Sequence, residues 1–124
     1  MKAPDSMRIG IGMDVHPLKE DNPLIVGGVV IPAPLGSQGH SDGDALIHAI
    51  VDALLGAAGL EDIGSCFPST DDKWKNARST HFLKDCVQKI MNAGWKIENI
   101  DTIIILQNPK VSEFVPKIKT NLSK

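Results

Sequence analysis

Hydrophobic and polar positions alternate from Met7 to His16. Met7, Ile9, Ile11, Met13 and Val15 fall on one side, and Arg8, Gly10, Gly12, Asp14 and His16 on the other. A period of two predicts a half-buried β-strand. Gly10 and Gly12 weaken a strand unless something must approach its backbone closely. Leu24–Val26 and Val29–Ile31 flank Gly27-Gly28 and predict a hairpin, after which Pro32, Pro34, Gly36 and Gly39 mark a loop.

From Ser41 the period changes. Leu46, Ile47, Ile50, Val51, Leu54 and Leu55 recur at helical spacing, with Ser41 and Asp44 in a capping-like arrangement and Gly56 or Gly59 as stops. Glu61 to Lys75 reads as a polar loop. A second helix is expected from about Ser79 to Ala93, with Phe82, Leu83, Cys86, Val87, Ile90 and Met91 as its apolar stripe and Gly94 as C-terminal cap. Ile103, Ile104, Ile105 and Leu106 form a continuous apolar run, the pattern of a strand covered on both faces. Asn108-Pro109 ends it, and a third helix begins after Val111, with Pro116 tolerable in its first turn. This order predicts an α+β, sandwich-like domain with helices packed on one face of a sheet. Met1 to Ser6 read as a flexible extension and 7–124 as a single domain.

Composition changes the picture little. With 42% hydrophobic and 23% charged residues in 124, the chain is an ordinary globular domain. A net charge of −2 argues against a broad nucleic-acid footprint or attraction to a membrane. The lysines at 110, 117, 119 and 124 read as a solvated face. No apolar run approaches the roughly 20 residues of a membrane span, and the first six residues lack signal-peptide features, so a cytoplasmic protein is expected. Cys66 and Cys86 fit no metal or disulfide spacing; Cys86 belongs to a helical core stripe and Cys66 to a loop.

The candidate chemistry lies in three places. Asp14 and His16, two apart on a strand, point the same way. His48 sits on the first helix between Asp44 and Asp52, each one turn away. Two imidazoles and a carboxylate meeting from a strand and a helix suit zinc in an open, three-ligand site, with the other carboxylates free to orient the histidines. Spacing alone does not decide this, since Asp-x-His pairs are common and a polar helical stripe is often only a wet face. His40 to Asp44 precedes a helix, where backbone N–H groups favour an anion, although Ser41 there has an equal reading as a simple cap. Asp62-Ile63-Gly64 and Phe67-Pro68-Ser69-Thr70-Asp71 offer groups suited to a polyol, or form an ordinary solvated loop.

Taken together, several motifs closely resemble the 2-C-methyl-D-erythritol 2,4-cyclodiphosphate synthase family. They are Arg8-Ile-Gly-Ile-Gly-Met-Asp14-Val-His16, the Gly27-Gly28 hairpin, His40-Ser-Asp-Gly-Asp-Ala-Leu-Ile-His48, Asp52-Ala-Leu-Leu-Gly-Ala, Asp62-Ile-Gly64, Phe67-Pro68 with Thr70-Asp71, and Gln107 with Pro109-Lys110. The resemblance runs from about Met7 to Lys124. It implies a metal-dependent lyase of non-mevalonate isoprenoid biosynthesis, in which the 2-phosphate of 4-diphosphocytidyl-2-C-methyl-D-erythritol 2-phosphate attacks the β-phosphorus and expels CMP. Asp14, His16 and His48 match the zinc ligands, the first two also facing the substrate. His40 matches a catalytic position and Ser41 a phosphate contact. Asp62, Ile63 and Gly64 match the residues on the erythritol hydroxyls, followed by Phe67, Pro68, Ser69, Thr70 and Asp71. Leu106, Gln107, Asn108, Pro109, Lys110, Val111 and Ser112 match the segment that wraps the cytosine. A cytoplasmic homotrimer with active sites between subunits is implied as well.

The sequence also departs from that pattern. Ile11 stands where a histidine is frequent and Ser69 where an aspartate is usual. The family's further strand, and the segment with a phosphate-binding threonine and a glutamate for a second Mg²⁺ or Mn²⁺, do not match any residue up to Lys124. The alternative expectation is therefore a truncated, weakly active homologue that binds zinc and a cytidine nucleotide. A structural zinc protein is a third reading, against which an open three-ligand site argues.

Overall fold

The computed structural model describes residues 7–37, 42–60, 66 and 78–123. The N-terminal extension, 38–41, 61–65, 67–77 and Lys124 lie outside the described residues.

Among the described residues four short strands pair as two antiparallel ladders. β1 (Leu18–Glu20) pairs with β4 (Leu35–Ser37), and β2 (Leu24–Val26) with β3 (Val29–Ile31). The β2–β3 hairpin forms as the sequence predicts. Its turn takes positive φ at both Gly27 (60°) and Gly28 (78°), a conformation that side chains resist. The β1–β4 ladder falls where the prolines and glycines predict only a loop, because pairing depends on a distant partner (Leu18 lies beside Ser37) and not on local pattern.

Among the described residues three helices are delimited: α1 (Ala45–Ala57), α2 (Ser79–Asn92) and α3 (Val115–Leu122), the last preceded by a 3₁₀ turn at Ser112–Phe114. Pro116 lies in the first turn of α3, where its missing N–H costs nothing. α1 is the centre of the core and buries two sides. Leu46 and Ile50 join Leu24, Val26, Val29, Ile31 and Ile118 beneath the hairpin and α3. Ile47, Val51 and Leu55 face Phe82, Cys86 and Ile90 of α2. Cys86 is thus core, and burial pushes its thiol up to about 12, which leaves it inert at neutral pH.

The expected strands at Met7–His16 and Asp101–Gln107 are corrected. Among the described residues neither joins a ladder. The alternation of the first is nonetheless present in its burial, but with an unusual sense. Gly12, Asp14 and His16 turn inward, while Met7, Ile9, Ile11, Met13 and Val15 are 78–90% exposed. The glycines explain the sense. A Cβ on Gly10 would overlap the carbonyl oxygen of Ala53, and one on Gly12 that of Ala49, so the bare backbone lies directly on α1. The second segment is covered on one side only. Ile104 and Leu106 pack against the hairpin core, whereas Ile103 and Ile105 are 86% and 95% exposed.

Gly12→Ala is expected to cost about 1–3 kcal/mol, since the new methyl meets rigid backbone. It should also weaken metal binding by displacing Asp14, two residues on. Urea denaturation with a metal titration checks this; unchanged stability would mean that the segment does not rest on α1 in solution.

Candidate metal centre

Asp14 and His16 reach the site because the glycine segment lies flat against α1, and His48 because α1 begins just before it. The start of α1 is held from outside the helix. Asp44, fully buried, is the N-cap and accepts from the N–H of Ile47 (3.1 Å), Gly27 (3.0 Å) and Gly28 (2.7 Å). One carboxylate therefore ties the hairpin turn to the helix that carries His48. Asn121 ties the same turn to α3, donating from its side-chain amide to the Gly27 carbonyl (2.7 Å). The helical spacing makes Asp44 a candidate for orienting histidines; in the structure it caps the helix instead, in the role that the sequence offers to Ser41.

Asp14, His16 and His48 each offer one ligand atom, and these atoms all lie within 4.8 Å of one another. Asp14 Oδ2 stands 2.7 Å from His16 Nδ1 and 3.4 Å from His48 Nδ1. The 2.7 Å approach lacks hydrogen-bond geometry, so Asp14 Oδ2 and His16 Nδ1 are buried with no hydrogen-bond partner. Buried polar atoms left without hydrogen-bond partners are costly unless another group, such as a cation, satisfies them. The imidazole rings of His16 and His48 lie 5.3 Å apart, and His48 also packs on Phe82 at 6.0 Å. Burial lowers the pKa of His48, with His16 adding to the shift and Asp14 opposing it. A neutral imidazole is the form that ligates metal. The three residues thus fit a divalent ion of borderline softness, with two nitrogens and one oxygen as donors.

Two further residues stand beside His48 among the described residues: Ser79, which sequence reasoning missed, and Asp42, which it placed only in the run ahead of α1. Ser79, fully buried at the start of α2, places its Oγ 2.8 Å from His48 Nε2. Ser79 Oγ in turn donates to Asp42 Oδ1, and the Ser79 N–H donates to Asp42 Oδ2 at 2.8 Å. Ser79 is 31 residues from His48 in sequence, so no local pattern could connect them.

The expected substrate residues divide into two groups. His40, Ser41, Asp62, Ile63, Gly64, Phe67, Pro68, Ser69, Thr70 and Asp71 lie outside the described residues. In the segment from Leu106 to Ser112, Leu106 and Val111 pack against the hairpin core, Gln107, Asn108, Lys110 and Ser112 are exposed, and the Asn108–Pro109 bond is cis.

An α+β domain that gathers two imidazoles and a carboxylate within 4.8 Å has the donor set of a divalent-metal site. The chain belongs to the YgbB family, whose model matches residues 7–124. It is 52% identical over 117 residues to the chloroplastic 2-C-methyl-D-erythritol 2,4-cyclodiphosphate synthase of Arabidopsis thaliana, covering 94% of this chain and 51% of that protein. Against the enzyme of the same name from Salinibacter ruber it is 48% identical over 118 residues, covering 95% of this chain and 75% of the relative. A solved 2C-methyl-D-erythritol-2,4-cyclodiphosphate synthase, in a form bound to CDP, superposes with a TM-score of 0.89 at 42% identity over 94% of this chain and 77% of that one. The chain thus spans about half the length of the plant relative and three quarters of the bacterial one. No helix among the described residues is long and apolar enough to cross a membrane.

Proposed function

We propose that this chain carries the zinc-binding part of a 2-C-methyl-D-erythritol 2,4-cyclodiphosphate synthase, which converts 4-diphosphocytidyl-2-C-methyl-D-erythritol 2-phosphate to the cyclic diphosphate and CMP. The observation that carries this reading is the convergence of Asp14, His16 and His48, with Asp14 Oδ2 and His16 Nδ1 buried without hydrogen bonds, in a chain of this family. Zinc bound there supplies a Lewis acid for a phosphate oxygen. Asp14 and His16 approach from the glycine segment and His48 from α1, so the ligand set is held by two packed elements and needs little rearrangement. His40 and Ser41, just ahead of α1, are proposed to steady the phosphates. Asp62 to Gly64 and Phe67 to Asp71 are proposed to receive the erythritol. Leu106 to Ser112 are proposed to hold the cytosine, in keeping with the CDP-bound relative. A cytoplasmic setting belongs to the same proposal, as does a second divalent ion, Mg²⁺ or Mn²⁺, whose glutamate ligand in the family has no match among residues 7–124.

The test is CMP release from the diphosphocytidyl substrate by the zinc-loaded chain. Release that disappears on chelation is the expected result. Bound zinc and bound CMP without release would establish the alternative, a homologue that binds without turnover.

The proposal extends to assembly. Met7, Ile9, Ile11, Met13 and Val15, with Ile103 and Ile105, are large apolar side chains at 78–95% exposure, more than a lone soluble domain ordinarily leaves uncovered. A homotrimer that covers them and shares its active sites between subunits is expected. Light scattering that finds a strict monomer at high concentration would overturn it.

A further inference from the structure

We propose that Asp42 and Ser79 are positioning residues that fix the proton of His48 on Nε2 and so present Nδ1 unprotonated toward Asp14 and the metal position. Counting protons leads there. The Asp42 carboxylate accepts from the Asp44 N–H (3.1 Å) and the Ser79 hydroxyl on Oδ1, and from the Ser79 N–H (2.8 Å) on Oδ2. A serine hydroxyl has a single proton, and here it is spent on Asp42. Toward His48 Nε2, 2.8 Å away, the same oxygen is left only as an acceptor. His48 must then donate from Nε2, and a neutral imidazole protonated there carries its lone pair on Nδ1. That nitrogen lies 3.4 Å from Asp14 Oδ2, on the side where the ligand atoms gather.

The arrangement also explains why the pair is built into the start of α2. The Ser79 N–H on Asp42 Oδ2 anchors that helix end, which lacks a side-chain cap of its own, to the segment leading into α1. The start of α2 is thereby locked to the entry of the helix that carries His48, at the residue that sets its proton. A metal-bound histidine whose other nitrogen is held in this way is oriented and made a better ligand.

This inference rests on the metal reading for its purpose but not for its geometry, and the experiment separates the two. Long-range ¹H–¹⁵N correlation on metal-free protein, at mildly alkaline pH, reports which nitrogen of His48 is protonated. Zinc affinity is measured alongside by chelator competition. The expected result for the unaltered chain is the Nε2-protonated form. In Ser79→Ala the proton should shift toward Nδ1, where Asp14 can accept it, and zinc affinity should fall by about 10–100-fold. Ser79→Thr, which keeps the hydroxyl, should restore both. If the alanine variant fails to fold, Ser79→Cys keeps the volume with a poor hydrogen-bonding atom and is expected to show the same shift. Nδ1 protonation in the unaltered chain, or an unchanged tautomer in both the alanine and cysteine variants, would overturn the proposal. A tautomer that depends on Ser79 in a chain that binds no zinc would support the relay and defeat the metal reading alone.

Discussion

Replacing His48 with alanine is expected to reduce copurifying zinc from near one per chain to none, and to abolish CMP release with it. The proposed ligand set is Asp14, His16 and His48, and removing His48 leaves two of its three donors, both on one segment. The loss should exceed the roughly 10–100-fold that outer partners of a ligand command. The imidazole packs on Phe82, so the variant will lose some stability, and circular dichroism should accompany elemental analysis to show that the helices persist. Full zinc occupancy in a folded His48→Ala chain would remove the basis of the assignment.

The second large effect is expected at Asp44, and it concerns folding. Its carboxylate satisfies three backbone N–H groups in a fully buried position. Asp44→Ala leaves those donors without partners and removes the cap of α1. A buried unsatisfied donor costs about 1–3 kcal/mol, and a lost cap about 1 kcal/mol. The charge that the carboxylate carries in the core offsets part of this. Burial is the largest influence on its pKa and raises it from 3.8 to about 6; the Asp42 charge adds to that, and the N–H groups of Gly28, Ile47 and Gly27 pull the other way.

The sign follows from linkage. With the folded pKa above the unfolded one, protonation favours the fold; this contribution is complete below pH 3.8 and lost as pH rises through about 6. At pH 7 the alanine variant should therefore be less stable by about 2–4 kcal/mol. The gap should widen as the pH falls, by up to about 3 kcal/mol for a shift of this size. Urea denaturation of metal-free protein at neutral and acidic pH measures both. A gap that narrows toward low pH would show that Asp44 is held as a carboxylate by its N–H partners, against the effect of burial.

Much of the site is legible in the sequence. Asp14 and His16 share a face because the period of two puts them there, and Gly10 and Gly12 announce a close approach, which is made with α1. The hairpin is readable from two adjacent glycines, and α1 and α2 from their apolar spacing. The inward sense of the Met7–His16 alternation is not readable. Pattern shows that two faces differ, while which face is covered depends on what else lies there, and here a helix backbone covers the glycine face.

What the sequence determined by itself is local: the periods of its elements, the turn at Gly27-Gly28, and the residue types able to hold a divalent ion. Tertiary structure alone decided the partners. Asp44 is a short step from His48 on the helix yet bonds to a hairpin turn 16 and 17 residues away, while Ser79, 31 residues distant, lies against the imidazole. The apolar runs at Met7–Val15 and Ile103–Leu106 make the same point for strands, since a ladder requires a neighbouring backbone that no side-chain pattern supplies. Hydrogen bonds between distant segments have no periodicity, because they are set by how the packed helices and hairpin meet in space and not by the order of residues along the chain.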